Sequence, residues 1–304
     1  MLSVFTPWRG LLLVLLTVAW SLGQAAPERG IITGGKPIVY PSWFKESFLD
    51  IADDVDEASE SGKHVILLMD MNGCPYCYKM VEENFKHAPY KEFIQANFDV
   101  IGLNVKGDRE VALNAETTLT EKEIADKLGV RFTPGLVFLN ADNNPVVKVN
   151  GYRNVRDFRV ILDYVQNRTY EQQPLAAYIR EHKENEAYTL RDHPQFQALE
   201  DLSALPDKPI ALFFEDSGCL DCAALHDGHL AAKEVRDVLA NYTVVRIDAF
   251  SDNPITDFEG KPTTERAFAE AQGVSYTPAI VLRDRGKELL RLESMLYRYH
   301  FTGL

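Results

Sequence analysis

The sequence predicts an α/β fold built twice in tandem, each copy a central mixed sheet flanked by helices. Three observations support this prediction. Apolar runs of strand length, at 65–69 and 210–214, lead directly into helical patterns, and a Cys-x-x-Cys motif lies at each junction. A proline in the same Gly-Val-x-x-Thr-Pro context follows the first cysteine of each motif, 60 positions later in one copy and 59 in the other. Such agreement in spacing indicates a duplicated domain.

The N-terminal region, residues 1–26, has the pattern of a secretory signal peptide. Arg9 precedes the apolar segment Leu11 to Leu22, and small residues follow at a predicted cleavage region. The apolar segment is shorter than the roughly 17 to 25 residues that span a bilayer, so an uncleaved anchor is the weaker alternative. We therefore expect export, to the periplasm or otherwise, without stable membrane insertion after cleavage.

The composition is that of a globular protein, with 304 residues, 46% hydrophobic and 25% charged. The length accommodates two domains of about 100 to 150 residues each. A formal net charge of −13 disfavours nucleic acid and anionic membrane surfaces as partners. We divide the chain into the signal segment 1–26, a first domain 27–168, a linker with a helix 169–191, and a second domain 192–304.

The elements of the first domain follow from apolar periodicity and from start and stop signals. Thr120-Glu121-Lys122-Glu123 has the form of a capping box, which opens a helix that Gly129 stops. In chain order we predict a helix from Ser42 to Gly62, a strand over 65–69, a helix from the CxxC motif to Pro89 or the short helical turn after it, and a strand over 98–105. A loop or irregular insertion over 106–120, the capped helix, strands over 136–139 and 146–149 around a turn at Asn143-Asn144, and a helix over 154–166 complete the domain.

The linker carries one helical stretch around Leu175 to Glu186, after which the order of elements repeats. The chain ends where the last helix of the second copy is only half complete, so that helix is predicted to be short or truncated. The second domain is predicted to contain a helix marked by Phe196, Leu199, Leu202 and Leu205, strands over 210–214 and 242–247, a helix over 263–272, and strands over 279–282 and 288–292.

The four cysteines are the only ones in the chain, and each pair has the same setting. Cys74 and Cys219 follow a strand and begin a helix, where free N–H groups and the helix dipole stabilise a thiolate. Their partners Cys77 and Cys222 lie one helical turn further on, within reach for a disulfide. In an exported protein such pairs can persist in the oxidised form.

This arrangement of strand, CxxC, helix and a later Thr-Pro before a hairpin resembles the thioredoxin fold family. The exported context and Cys-Pro-Tyr-Cys are most similar to periplasmic thioredoxin-like proteins of the SoxW and disulfide-isomerase type. The resemblance implies a thiol–disulfide oxidoreductase that acts on exported protein thiols and disulfides and exchanges electrons with an unidentified redox partner. No bound cofactor is implied, because the chemistry resides in the cysteines.

The resemblance also implies the roles of individual residues. The first cysteine of each pair attacks and the second resolves: Cys74 and Cys219 attack, and Cys77 and Cys222 resolve. Cis-prolines would face the disulfides, and the threonines before them would offer backbone groups to an extended peptide: Pro134 and Pro278, after Thr133 and Thr277.

Cytosolic thioredoxins carry a buried acid six residues before the first cysteine, whereas this chain has Leu68 and Phe213 at that offset. Asp70 and Glu215, four residues before, are candidate substitutes. We expect them instead to be solvated acids at the strand ends.

The dipeptides between the cysteines predict different sites. Pro75-Tyr76 adds no charge, whereas Leu220-Asp221 places a carboxylate between the sulfurs. That anion disfavours the Cys219 thiolate, and stabilising the reduced thiolate is what makes such a pair oxidising. Pro75, Tyr76 and Asp221 are therefore predicted to modulate the two sites, with the second more reducing than the first.

Other classes of function fit the residues less well. A four-cysteine zinc site would need both pairs at one point, although each has its own strand, helix and Thr-Pro. Attachment of c-type haem needs a histidine after the second cysteine, where Tyr78 and Ala223 stand. We interpret His226 and His229 as surface residues rather than metal ligands with Cys222. A binding or chaperone module with structural disulfides remains the alternative, mainly for the second domain.

Overall fold

A computed structural model of the chain describes residues 36–182, 188–197, 199–204, 208–296 and 298–303. The predicted signal segment, residues 1–26, lies outside the described residues.

The first domain contains a four-stranded sheet in the order β2-β1-β5-β6 and a separate two-stranded hairpin, β3-β4. Its strands are β1 His64–Asp70, β2 Phe98–Asn104, β3 Glu110–Asn114, β4 Thr117–Thr120, β5 Gly135–Leu139 and β6 Pro145–Asn150. Its helices are α1 Ile51–Glu60, α2 Pro75–Met80 with a π-helical continuation Val81–Lys86, α3 Lys91–Asn97, α4 Glu121–Lys127 and α5 Val155–Gln166.

Strand β1 is central because its apolar run is buried on both faces of the sheet. It pairs in parallel with β2 and antiparallel with β5. Successive side chains alternate between two cores, so Ile66 and Leu68 join one buried cluster while Leu67 and Met69 join the other. A strand covered on both sides positions whatever follows its carboxyl end, and here the CxxC follows.

The helix predicted to begin at Ser42 begins instead at Ile51, so that prediction is wrong for its first turns. Leu49 has a left-handed backbone conformation, with φ of 65°, and the Asp50 side chain caps α1 by accepting from the Asp53 N–H. Phe44 is buried in the first cluster and Trp43 covers it, whereas Phe48 is exposed. Apolar spacing in this segment therefore reflects single side chains that reach the core from a turn.

The polar segment predicted as a loop over 106–120 contains the hairpin β3-β4. Val111 of β3 is buried in the second cluster of the first domain, which gives the hairpin an anchor that its polar neighbours conceal. The capping box is confirmed, since the Glu123 carboxylate accepts from the Thr120 N–H at 2.8 Å. The two strands that follow the Thr-Pro and the helix over 154–166 are confirmed within one residue, whereas the predicted helix from the CxxC ends at Lys86, three residues before Pro89.

The linker contains a 3₁₀ turn, Thr169–Glu171, and helix α6, Leu175–His182. Residues 183–186 of the predicted linker helix lie outside the described residues. The second domain contains a five-stranded sheet in the order β13-β12-β8-β9-β7 and a short hairpin β10-β11. Its strands are β7 Phe196–Gln197, β8 Ile210–Glu215, β9 Thr243–Asp248, β10 Pro254–Thr256, β11 Pro262–Thr264, β12 Ala279–Asp284 and β13 Lys287–Leu292. Its helices are α7 Leu220–Ala224 with a π-helical continuation Leu225–Leu230, α8 Lys233–Leu239, α9 Glu265–Ala271 and α10 Arg298–Thr302.

The helix predicted from Phe196 to Leu205 is wrong for its described part, and Leu205 lies outside the described residues. Phe196 instead belongs to β7, which pairs in parallel with β9, and Leu202 lies in a 3₁₀ turn. The apolar pattern covers too few residues to distinguish a helix from an edge strand followed by a turn. Among the described residues, none of the helices has the length and apolar character needed to cross a membrane.

Candidate active sites

The first CxxC begins helix α2 directly after the central strand. Cys74 is the N-cap residue, and its Sγ accepts from the Cys77 N–H at 3.1 Å. Pro75 occupies the first helical turn, where its missing N–H costs nothing. Cys74 and Cys77 form a disulfide with Cα atoms 5.3 Å apart. On reduction, the same N–H would donate to the Cys74 thiolate and stabilise it.

The loop before β5 faces this disulfide. The Thr133–Pro134 peptide bond is cis. The Thr133 hydroxyl lies 3.4 Å from Cys74 Sγ, and the Thr133 carbonyl oxygen lies 3.6 Å from the same sulfur. A disulfide sulfur carries no hydrogen, so in this state only the hydroxyl donates. The structure thus brings together Cys74, Cys77, Thr133 and Pro134, as the resemblance implied.

The second CxxC repeats the local geometry. Cys219 is the N-cap of α7 and accepts from the Cys222 N–H at 3.0 Å, and the two cysteines form a disulfide with Cα atoms 5.2 Å apart. The Thr277–Pro278 bond is cis. Here the Thr277 hydroxyl donates to the carboxylate of buried Asp216, which stands where the first copy has Met71. The two sites therefore share a backbone and differ in their polar contacts.

Both disulfides are nearly closed to solvent, since Cys74 is 2% exposed and Cys219 is 1% exposed. A tyrosine from the linker side, Tyr188, packs against Cys219 and Cys222. The Tyr188 N–H donates to the Ser217 carbonyl at 3.2 Å, which fixes the segment over the loop before the CxxC. A reagent that attacks the second disulfide must therefore displace this cover.

Asp70 and Glu215 are buried, so the expectation that they are solvated strand-end acids is wrong. A tyrosine hydroxyl donates to each carboxylate, from Tyr40 to Asp70 at 2.6 Å and from Tyr188 to Glu215 at 3.2 Å. Burial raises the pKa of Asp70 to about 6 and that of Glu215 to about 7. The sequence pointed to the acids by their offset but not to the tyrosines, which precede the first helix or strand of each domain.

His226 and His229 are also buried, which corrects their interpretation as surface residues. His226 Nε2 lies 3.0 Å from Glu215 Oε1, and burial lowers the pKa of the His226 imidazole. His229 Nε2 donates to the Leu296 carbonyl at 2.8 Å. Both rings lie on the buried side of the π-helical continuation of α7, which packs against the sheet. Both histidines are therefore part of the interior of the second domain.

The dipeptides between the cysteines contact residues far along the chain. The Tyr76 hydroxyl lies 2.9 Å from His300 Nδ1 of α10. The Asp221 carboxylate lies 3.3 Å from the Tyr276 hydroxyl. Tyr76 and Asp221 are thus both placed at the junction between the two domains. No sequence pattern pointed to His300, and Tyr276 was visible only as a variable position of the Gly-Val-x-x-Thr-Pro repeat.

A dithiol that closes reversibly in such a setting exchanges electrons with other disulfides through a mixed disulfide. The fold and the two sites therefore define a class, the thiol–disulfide oxidoreductases. Within it, the chain belongs to the thioredoxin-like domain family, whose model matches residues 51–166 and 197–304. The double match confirms the predicted tandem repeat.

Solved structures similar to this chain are distant in sequence. A thioredoxin-fold protein from Helicobacter pylori has 19% identity and a TM-score of 0.36, with 40% of this chain and 84% of that chain covered. The DsbH oxidoreductase has 12% identity and a TM-score of 0.30, covering 49% and 94%. The AhpF component of the alkylhydroperoxide reductase of Enterococcus faecalis has 15% identity and a TM-score of 0.29, covering 86% and 98%. No curated protein matches the chain.

Proposed function

We propose that this chain is an exported thiol–disulfide oxidoreductase that reduces or isomerises disulfides of other exported proteins. The observation that carries the proposal is the geometry of the first site, where Cys74 Sγ lies between the Cys77 N–H and the Thr133 hydroxyl. Both groups donate to the sulfur, and a sulfur with two donors is better stabilised as a thiolate than as a thiol.

The reaction at the first site follows from the two sulfurs. The Cys74 thiolate attacks one sulfur of a client disulfide, forms a mixed disulfide and releases the other client sulfur as a thiolate, which takes a proton from water. Cys77 then loses its proton and attacks Cys74 Sγ, which closes the Cys74–Cys77 disulfide and releases the second client thiol. The client gains two electrons and the protein loses two. An exported redox partner of the dithiol class restores Cys74 and Cys77.

Disulfide isomerisation uses only the first step of this reaction, the formation of the mixed disulfide. If another client thiol attacks the mixed disulfide before Cys77 does, the client leaves with a different pairing and the protein is unchanged in oxidation state. The competition between Cys77 and the client thiol decides between reductase and isomerase.

Assays on two model clients test this proposal. We expect the reduced protein to reduce insulin disulfides and to reactivate scrambled ribonuclease, and we expect Cys74→Ser to abolish both activities. Cys77→Ser should accumulate a mixed disulfide that non-reducing electrophoresis detects. The matched control is Cys219→Ser, which removes the equivalent sulfur of the other domain. Full activity of Cys74→Ser would refute the role of the first site.

Export is proposed on the sequence pattern of residues 1–26 alone. Expression of the full chain in a Gram-negative host, followed by periplasmic extraction and N-terminal sequencing, should yield a chain that begins near residue 27. Arg9→Glu with Leu13→Arg, which disrupts the signal pattern, should retain the protein in the cytoplasm. Cytoplasmic recovery of the uncleaved wild-type chain would contradict export.

A second function is favoured for the second domain by the cover on its disulfide. Tyr188, which packs against both cysteines, fits a structural disulfide in a domain that binds clients or supports the first domain. In that case Cys219→Ser with Cys222→Ser leaves insulin reduction unchanged. Loss of the activity in this double variant would instead assign the second pair a place in electron transfer.

A further inference from the structure

The two domains contact each other through equivalent residues. Phe132 and Tyr276 both stand two positions before the cis-proline of their own domain. Phe132 of the first domain packs against an apolar cluster of the second that includes Phe213 and Leu225. Tyr276 of the second domain is buried within a cluster of the first. Each domain therefore inserts the same position of its Thr-Pro loop into the other.

Tyr276 is held in the first domain by more than apolar contact. Its ring lies under the Arg153 guanidinium, 4.0 Å from the ring centroid, and Arg153 is 1% exposed. Its hydroxyl donates to the Asp157 carboxylate. Arg153 is itself fixed by donating to the Asn150 and Tyr152 carbonyls at 3.0 and 3.1 Å. A buried cation, a buried carboxylate and an aromatic ring thus form a specific socket for this side chain.

The remaining contacts repeat the same symmetry. Asp157 is the third residue of α5, the last helix of the first domain, and it reaches Tyr276 beside Asp221 of the second CxxC. His300 is the third residue of α10 in the second domain, and it reaches Tyr76 of the first CxxC.

Gly151 follows the last strand of the first domain, and a Cβ there would collide with the Ser294 side chain, which follows β13 in the second. The pattern is that of an isologous dimer interface formed within one chain.

We propose that the redox faces of the two domains are each other's binding partner and that this closed form controls access to both disulfides together. This inference rests on the proposed function, because only exchange with other molecules requires access. Attack on a disulfide needs a path to the sulfur, and the interface includes Tyr76 and Asp221, which lie within the two CxxC motifs. The Thr133 hydroxyl contacts Cys74 Sγ, and Phe132 directly precedes Thr133 in the chain. Tyr76 lies between Cys74 and Cys77 in sequence. Separation of the domains is therefore the step that admits a client.

Reciprocity is the testable signature of this arrangement. The oxidised full chain is treated with dithiothreitol, quenched at intervals with iodoacetamide, and each CxxC peptide is followed separately by mass spectrometry. Tyr276→Ala, in the second domain, should speed reduction of Cys74–Cys77 by roughly tenfold or more, because truncation of a buried aromatic anchor commonly weakens an interface by at least that factor. Phe132→Ala, in the first domain, should likewise speed reduction of Cys219–Cys222. Tyr276→Phe, which keeps the ring on Arg153 and loses the hydroxyl, should give a smaller increase.

The matched control is Phe258→Ala, which truncates an aromatic side chain packed in the second domain's other apolar cluster. Circular dichroism identifies any variant that has lost its fold, and small-angle scattering should report a larger radius of gyration for Tyr276→Ala than for Phe258→Ala. Two results would overturn the closed form. One is faster reduction, in each variant, only of the cysteine pair in the domain that carries the substitution. The other is an equal increase in the reduction rates in Phe258→Ala. Insulin reduction is scored apart from this result: open variants that still fail to reduce insulin would refute the proposed function and leave the access measurement intact.

Discussion

At the scale of residues, the two sites differ through a few polar side chains on a common backbone. The Thr133 hydroxyl donates to Cys74 Sγ, whereas the Thr277 hydroxyl donates to Asp216. The two sites share a buried acid before the CxxC, whose pKa is raised by burial and which accepts from a tyrosine hydroxyl. The differing and the shared contacts have separate consequences for reactivity and for stability, and substitutions can tell them apart.

The pair Thr133→Val and Thr277→Val keeps the β-branched shape and removes one hydroxyl from each site. Thr133→Val should slow alkylation of reduced Cys74 by iodoacetamide about fivefold near neutral pH, since the thiolate loses a hydrogen bond worth about 1 kcal/mol. Thr277→Val should leave Cys74 alkylation unchanged and lower the free energy of unfolding by about 1 to 3 kcal/mol, since buried Asp216 loses a donor. Equal effects of the two variants on Cys74 would contradict this assignment.

Asp70 should make stability depend on pH. Its pKa is raised by burial from 3.8 to about 6 in the folded state, so folding favours the protonated form. The contribution is present below pH 3.8 and is lost as the pH rises through 6, at most about 3 kcal/mol.

Urea unfolding at pH 4, 5, 6 and 7 checks this prediction. The free energy of unfolding of Asp70→Asn should rise relative to that of the wild type over this range. Asp142→Asn, in an exposed turn, serves as the control. A constant difference between Asp70→Asn and wild type across the range would show that Asp70 titrates normally.

At the scale of elements, each CxxC is positioned by a buried strand before it and a helix after it, and the second CxxC is also covered by a segment of the linker. The segment at 188–190 lies over the second disulfide, with Tyr188 packed against both cysteines and its hydroxyl on Glu215. The first domain has the corresponding contact between Tyr40 and Asp70. In each domain, a tyrosine that precedes the first helix or strand therefore contacts the acid before the CxxC.

Removal of the Tyr188 ring should expose only the second disulfide. Tyr188→Ala should speed reduction of Cys219–Cys222 by dithiothreitol roughly tenfold and leave Cys74–Cys77 unchanged, because the cover is local. Tyr188→Phe, which keeps the ring and loses the hydroxyl, is the matched control. An equal acceleration of both pairs in Tyr188→Ala would mean that Tyr188 supports domain closure instead.

At the scale of the whole molecule, the two sites lie in one compact unit and share an interface. Asp221 faces this interface through the Tyr276 hydroxyl, and the first domain brings Arg153 and Asp157 to the same point. We therefore expect residues from both domains to set the potential of the second pair. The carboxylate of Asp221 is expected to disfavour the Cys219 thiolate, and the Arg153 cation is expected to moderate that effect.

The reduction potentials of the two pairs are predicted to be unequal. The potential of the second pair is measured in glutathione buffers on the full chain with Cys74→Ser and Cys77→Ser. The potential of the first pair is measured in the same way with Cys219→Ser and Cys222→Ser. The second pair should be the more reducing of the two. Asp221→Asn should raise the second potential by on the order of 30 mV, which corresponds to about 1.4 kcal/mol for a two-electron couple. Asp237→Asn, at an exposed position of helix α8, controls for net charge. A second pair that is more easily reduced than the first would contradict the predicted order of the two potentials.

The sequence by itself determined the duplicated fold, the CxxC positions and the Thr-Pro loops, because these depend on apolar runs, turn residues and spacing that are local along the chain. It did not determine which residues from elsewhere in the chain pack over the two disulfides. Several features depend on neighbours that are distant in sequence. These are the burial of Asp70, Glu215 and His226, the hairpin at 110–120 and the edge strand at Phe196. The insertion of Tyr276 beside Arg153 is the clearest case. Nothing within either repeat marks it, since an interface between domains is decided only when two folded surfaces meet.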